Sequence, residues 1–152
     1  MKLFRLTKTR FLSSAWSGFG AREGGGRWNS VGTSMVYLSE AASLTMLETL
    51  VHLNAAGLLD SYTLLCIEVD EALSQTVDIA RLPERWTASE TPQVLTSLGD
   101  AWIAGGSSLL LRVPSAVSPV EFNYLLNPDH PQAASVISSA KVIPFKFDER
   151  LK

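Results

Sequence analysis

Tyr62-Thr63-Leu64-Leu65-Cys66-Ile67-Glu68-Val69 is the strongest strand pattern in the chain, rich in β-forming side chains and closed by the acidic turn Asp70-Glu71. Upstream of it the sequence reads as a helix. Ser39 is a good N-cap, the helix runs over residues 40 to about 56, and Gly57 closes it. Leu44, Leu47, Val51 and Ala55 recur at helical spacing and are expected to form its core face, with Glu48 on the flank. Two further strands precede it, at residues 2–6 (KLFRL) and 35–38 (MVYL), separated by a Ser- and Gly-rich connection over 7–33. Connections of that length without structure of their own are uncommon in compact domains and tend to carry function. Downstream, residues 75–79 suit a strand. Thr91-Pro92 opens a helix that reaches Ile103 and stops at Gly105-Gly106, and residues 109–113, 121–125 and 142–147 supply three more strands. The expected fold is α+β, a single domain over residues 1–152 with six or seven strands and two or three helices, and with no repeat, linker or low-complexity tract.

The composition narrows what such a domain does. At 152 residues, 46% hydrophobic and 18% charged, the chain is long enough for one real core and is not held open by self-repulsion. No stretch approaches the ~20 apolar residues of a membrane span. MKLFRLTKTRFL at the start has arginine and threonine where a signal peptide has its apolar run, which points to the cytoplasm. Cys66 is alone, so no internal disulfide forms, and with only His52 and His130 beside it no usual zinc site is built. Metal-free chemistry is therefore expected. A net charge of −2 argues against a general nucleic-acid binder. Charge is nevertheless segregated: residues 1–27 hold Lys2, Arg5, Lys8, Arg10, Arg22 and Arg27 against Glu23 alone, a local +5, while residues 28–152 hold seven cations and fourteen anions, −7. Those cations either decorate a solvated face or meet an anionic ligand.

Five glycines fall within nine residues between Gly18 and Gly26, followed at once by Arg27-Trp28-Asn29. The segment is not a dinucleotide fingerprint, because Glu23 stands at its sixth position and no apolar strand precedes it, and it lacks the Lys-Ser/Thr of a Walker loop. Glycines so dense let backbone lie close to a ligand. Arg27, the last cation before Arg81, suits phosphate recognition through its planar fork, or else makes a structural pair; Trp28 backs it or belongs to the core. Tyr37 is a half-buried strand aromatic or a ligand contact. Glu48 sits between Leu44 and His52 on the edge of an apolar stripe, either solvated or held there for a function. In residues 112–131, prolines at 114, 119, 128 and 131 fix the backbone around Ser115, Asn123 and Asn127. Ser115 has no Ser-His-Asp context and reads as a hydrogen-bonding residue, while Asn127-Pro128-Asp129 also reads as a plain turn.

GGRWN at 25–29, VYLS at 36–39, LETLVHL at 47–53, RVPSAV at 112–117, NYLLNPDHP at 123–131 and FDERL at 147–151 together resemble the RES domain family, named for its arginine, glutamate and serine. The resemblance implies a fold like that of ADP-ribosyltransferases, with mixed sheets and a few flanking helices. It implies the toxin half of a bacterial toxin–antitoxin pair, an enzyme that consumes NAD by hydrolysis or phosphorolysis or, alternatively, transfers ADP-ribose to a protein. A non-catalytic module acting only through its partner is the remaining alternative. Carried over, the family's arginine falls on Arg27, its glutamate on Glu48 and its serine on Ser115; Tyr37 takes the place of the active-site tyrosine, and Arg5 that of a further arginine. On this resemblance Arg27 grips the pyrophosphate with Arg5 and Asn127 in the binding set, Tyr37 stacks on nicotinamide, Ser115 bonds the ribose or amide end, and Glu48 stabilises developing positive charge. NAD is then a substrate, with no true cofactor and no metal. The implied partner is an Xre-like helix-turn-helix antitoxin that does the DNA binding, in a complex that has room for a toxin homodimer; direct nucleic-acid and membrane contacts are not expected. Phe11 departs from the pattern, standing where many relatives carry a tyrosine.

Overall fold

The computed structural model describes residues 1–54, 56–57 and 60–151. The stretch Tyr62–Glu68 forms a strand, and every residue from Tyr62 to Ile67 is buried. Numbered in chain order, the strands are β1 (Lys2–Lys8), β2 (Val36–Ser39), β3 (Tyr62–Glu68), β4 (Ser74–Thr76), β5 (Leu110–Pro114), β6 (Phe122–Leu126) and β7 (Lys141–Ile143); the α-helices are α1 (Phe19–Gly24), α2 (Ala42–Leu50), α3 (Gln93–Gly105) and α4 (Ala133–Ile137). The strands make one seven-stranded sheet in the order β4-β5-β6-β2-β1-β3-β7, in which only the β4–β5 pair is parallel. The fold is thus α+β with a mixed sheet.

Pairing explains why β1 runs two residues past its expected end. It stays in register with β3 from Lys2 opposite Glu68 to Lys8 opposite Tyr62, and those ladder bonds carry it to Lys8. The connection at 7–33 is not structureless, contrary to expectation: a 3-10 turn over Thr9–Ser14 and the short α1 lie within it. On the far side β1 meets β2 at a single registered pair, Phe4 with Ser39. Alternate residues of β5 and β6 go to opposite faces, as a pleated strand requires. Leu110 and Leu126 join the core around Leu3, Val36, Ile67 and Tyr124, whereas Leu111, Val113 and Leu125 join Trp28, Met35, Leu95 and Trp102 under α3.

Helix α2 is the main correction. It begins at Ala42, with Ala41 in the capping position, because Ser39 is the last residue of β2 and not a cap. It ends at Leu50, short of the expected 56. Of the expected core face only Leu44 is buried; Leu47 and Val51 are 44% and 57% exposed, and Ala55 lies outside the described residues. The stripe that packs is Ala42, Met46 and Leu50, which covers Leu6, Tyr62, Leu64 and Phe147. Both stripes are apolar at the i, i+3 and i, i+4 spacings of a helix face, so periodicity could not choose between them. At the C-terminal end β7 stops at Ile143, and the rest of the expected strand instead supplies Phe145 and Phe147, whose rings meet edge-on at 4.9 Å.

Candidate active site

A cleft of about 720 Å³ opens where α2, the splayed β1–β2 junction and the Gly25–Trp28 segment meet, and Arg5, Arg27, Tyr37 and Glu48 all line it. Glu48, in the last turn of α2, is half-buried and points its carboxylate at two other strands. Its Oε1 accepts from the Ser115 hydroxyl just past β5 and from Asn123 Nδ2 on β6, each at 2.6 Å. The other oxygen, Oε2, has no protein partner among the described residues and is left to the cleft. Ser115 is wholly buried; its oxygen also accepts the backbone N–H groups of Val117 (3.1 Å) and Ser118 (3.0 Å), so its proton is the one donated to Glu48.

Tyr37 lines the cleft with its ring while its hydroxyl serves the wall. The O–H donates to Asn29 Oδ1 at 2.7 Å and accepts from the Trp28 N–H at 3.0 Å. Burial pushes its pKa up and outweighs the opposing bond from Trp28, so the hydroxyl remains a donor through the neutral range. Gly26 is glycine for a packing reason: a Cβ there would stand 2.6 Å from the Tyr37 hydroxyl and 2.8 Å from Asn29 Oδ1. Asn29 is buried and ties the segment down further, its Nδ2 reaching the carbonyls of Ala21, Ser30 and Thr33. Trp28 is a core residue against α3.

Two guanidinium groups face the cleft with carbonyls for partners and, among the described residues, no carboxylate. Arg27 Nη1 donates to the carbonyls of Trp86 (2.9 Å) and Ala88 (3.0 Å), leaving Nε and Nη2 without a protein acceptor among the described residues. Arg5 fills the gap beyond the single β1–β2 pair, Nε donating to Ala15 O at 2.8 Å and Nη1 to Tyr37 O at 3.1 Å. Burial lowers its pKa to about 10, which still leaves it charged at neutral pH. Lys8 differs, being held by Asp60 at 2.9 Å. A cleft with two uncompensated forks and one carboxylate suits a ligand with both an anionic stretch and an electron-poor centre.

Arg5, Arg27, Tyr37 and Glu48 therefore line one cleft, with Phe11 at its edge, while Ser115 stands behind Glu48, wholly buried and outside the lining, its proton given to Glu48 and not to the ribose or amide end of a ligand. Asn127 does not. It lies past the opposite end of β6 from Asn123, buried in a turn where its Oδ1 accepts the Asp129 N–H. Sequence reasoning singled out Asn123 without giving it a role in the site and read Ser39 as a helix cap, although β-alternation puts Asn123 on the Leu125 side of β6 and β2–β6 register puts Ser39 opposite it. Their mutual bond, Ser39 Oγ to Asn123 Oδ1 at 2.7 Å, depends on that long-range pairing. Among the described residues no group of three or more His, Cys, Asp or Glu side chains could hold a metal ion, and no helix is long and apolar enough to cross a membrane.

The sequence matches the family model of the RES domain over residues 2–148. The chain belongs to the RES domain family. Its fold is similar to that of a chain in the crystal structure of the M. tuberculosis MbcT–MbcA toxin–antitoxin complex, with a TM-score of 0.70 at 22% identity over 94% of this chain and 81% of that one. RES relatives include Toxin Res of Yersinia enterocolitica serotype O:8 / biotype 1B, 39% identical over 152 residues and the full length of both chains. Toxin Res of Photorhabdus laumondii subsp. laumondii is 38% identical over 99% of this chain and 97% of its own. The Prs ADP-ribosylating toxin of Sphingobium sp. (strain YBL2) is 40% identical over 89% of this chain and 85% of its own.

Proposed function

We propose that this RES protein is the toxin of a bacterial toxin–antitoxin pair and that it depletes NAD by breaking the nicotinamide–ribose bond, with water or phosphate as acceptor. The observation that carries the reading is the Glu48 carboxylate, clamped through one oxygen and free through the other, in a cleft bordered by two uncompensated arginines. Full-length similarity to proteins named Toxin Res supports the biological role. Arg27, through Nε and Nη2, and Arg5 would hold the pyrophosphate, and the Tyr37 ring would face nicotinamide. As the C–N bond breaks, its electron pair goes to the pyridine nitrogen and the ribose acquires oxocarbenium character. Glu48 Oε2 stabilises that charge or orients a ribose hydroxyl. Nicotinamide leaves neutral, so no strong general acid is needed, and the acceptor oxygen bonds to the ribose carbon while its proton passes to solvent. The partner in this reading is an Xre-like helix-turn-helix antitoxin, and the site of action is the cytoplasm.

A second reading, mono-ADP-ribosylation of a protein, is favoured by the similarity to the Prs ADP-ribosylating toxin. One experiment separates the two. The purified protein is incubated with NAD labelled in its ADP-ribose part, with and without phosphate and cell lysate. Free ADP-ribose or its phosphate, matched by released nicotinamide, is the expected result, and Glu48→Gln lowers it by at least about a hundredfold. Label retained on one lysate protein would replace the first reading by the second.

A further inference from the structure

We propose that Asn123 is a positioning residue: anchored by Ser39, its amide clamps Glu48 Oε1 and so presents Oε2 to the ribose. The inference rests on the role given to Glu48 above. A carboxylate held by one donor can still turn about that bond, whereas two donors from different directions fix both its place and its plane. Ser115 comes from the end of β5 and Asn123 from β6, and both reach Oε1 at 2.6 Å. An amide has one accepting and one donating end. The buried Ser39 hydroxyl donates to Oδ1 at 2.7 Å, which leaves Nδ2 for Glu48; a flipped amide would set Oδ1 against a carboxylate oxygen. Ser39 and Asn123 face each other across the β2–β6 register, so the sheet itself holds the relay. The remaining titratable groups lining the cleft around Glu48 are Arg5 and Lys8 from β1, Arg27, Tyr37 from β2, His52 just past α2 and Tyr62 from β3, and none of them bonds to Glu48.

The test measures nicotinamide release against NAD concentration for the native protein and for Glu48→Gln, Asn123→Ala, Asn123→Asp, Ser39→Ala and Ser39→Thr. Loss of the Asn123 donor lowers kcat by about ten- to a hundredfold, the range one hydrogen bond to a charged group carries, with KM little changed. Ser39→Ala gives a smaller loss in the same direction, and Ser39→Thr restores the native value. A merely structural Asn123 would move thermal stability and leave kcat alone, and a substrate-binding one would move KM; either outcome overturns the inference. If Asn123→Ala fails to fold, Asn123→Asp decides, since it keeps shape and the acceptor for Ser39. Native kcat in the Asn123 variants, beside an inactive Glu48→Gln, would defeat the inference alone. A native protein that releases no nicotinamide, or a fully active Glu48→Gln, would defeat the reading of Glu48 and the inference with it.

Discussion

Ser115 shows how much one hydroxyl holds at this site. It is wholly buried, donates to Glu48 and accepts two backbone N–H groups. Ser115→Ala removes the acceptor for Val117 and Ser118 as well as the donor to Glu48, and orphaned buried donors are costly. We expect a loss of about 1–3 kcal/mol in stability, read by urea denaturation, together with reduced nicotinamide release. Native stability in Ser115→Ala would show that those N–H groups find other partners. Tyr37→Phe makes a parallel case: it deprives Trp28 N–H and Asn29 Oδ1 of their common partner, and it should cost about 1–3 kcal/mol in the same assay while loosening the cleft wall. At this scale the sequence resemblance drew together Arg27, Tyr37, Glu48 and Ser115, which the fold sets around one neighbourhood. What spacing along a chain does not carry is the use each polar atom is put to. Nothing in VYLS or GGRWN says that the tyrosine hydroxyl is taken up by Asn29, or that Gly26 is small in order to admit it.

Among the elements, α3 matters beyond its core contacts because it braces the segment that carries Arg27. Gly99 lies against Trp28, and a Cβ at that position would overlap the Trp28 carbonyl oxygen. Backbone cannot yield as a flexible side chain does, so Gly99→Ala should destabilise by about 3 kcal/mol or more and lower the denaturation midpoint accordingly. One residue on, Asp100 Oδ1 accepts the Ser30 N–H at 3.0 Å. Partial burial pushes the Asp100 pKa up, yet hydrogen bonds from Ser30 and Thr33 outweigh it and leave the value below the ordinary 3.8. A carboxylate with a depressed folded pKa contributes stability that is present above its unfolded pKa and lost as pH falls through the folded one. Asp100→Asn should therefore be less stable than the native protein at neutral pH and lose less stability between about pH 5 and about pH 2. Equal acid sensitivity in the two proteins would remove Asp100 from the account. The ends of α3 were legible to within about two residues because Thr91-Pro92 and Gly105-Gly106 are strong local signals, although Pro92 and not Thr91 takes the capping position and the helix runs on to Gly105. Those of α2 were not, since Ser39 looks like a cap until β2 pairs with β6 and absorbs it.

Over the whole molecule, charge is sorted as well as the chain. Three of the six N-terminal cations, Arg5, Lys8 and Arg27, line the cleft, and Glu48 is the carboxylate that faces them. Asp60 offsets Lys8, whereas among the described residues the two arginines bond to carbonyls and meet no carboxylate. Attraction of a dinucleotide into such a cleft is electrostatic, so kcat/KM for NAD should fall as salt rises. Arg27→Ala should lower it by about tenfold or more. The same field bears on control. On the proposed function, a protein that consumes NAD has to be silenced by its partner, and a net charge of −2 argues against this chain's binding operator DNA itself. An antitoxin segment carrying acidic side chains or a terminal carboxylate matches the cleft in sign, and once seated on Arg5 and Arg27 it would occupy the place of the pyrophosphate. The expected outcome is that the purified toxin–antitoxin complex cleaves NAD far more slowly than the free toxin, and that Arg27→Ala weakens the antitoxin's hold along with NAD cleavage. If the complex turned NAD over as fast as the free protein, inhibition by occlusion of this cleft would be wrong, and the antitoxin would have to act from another surface.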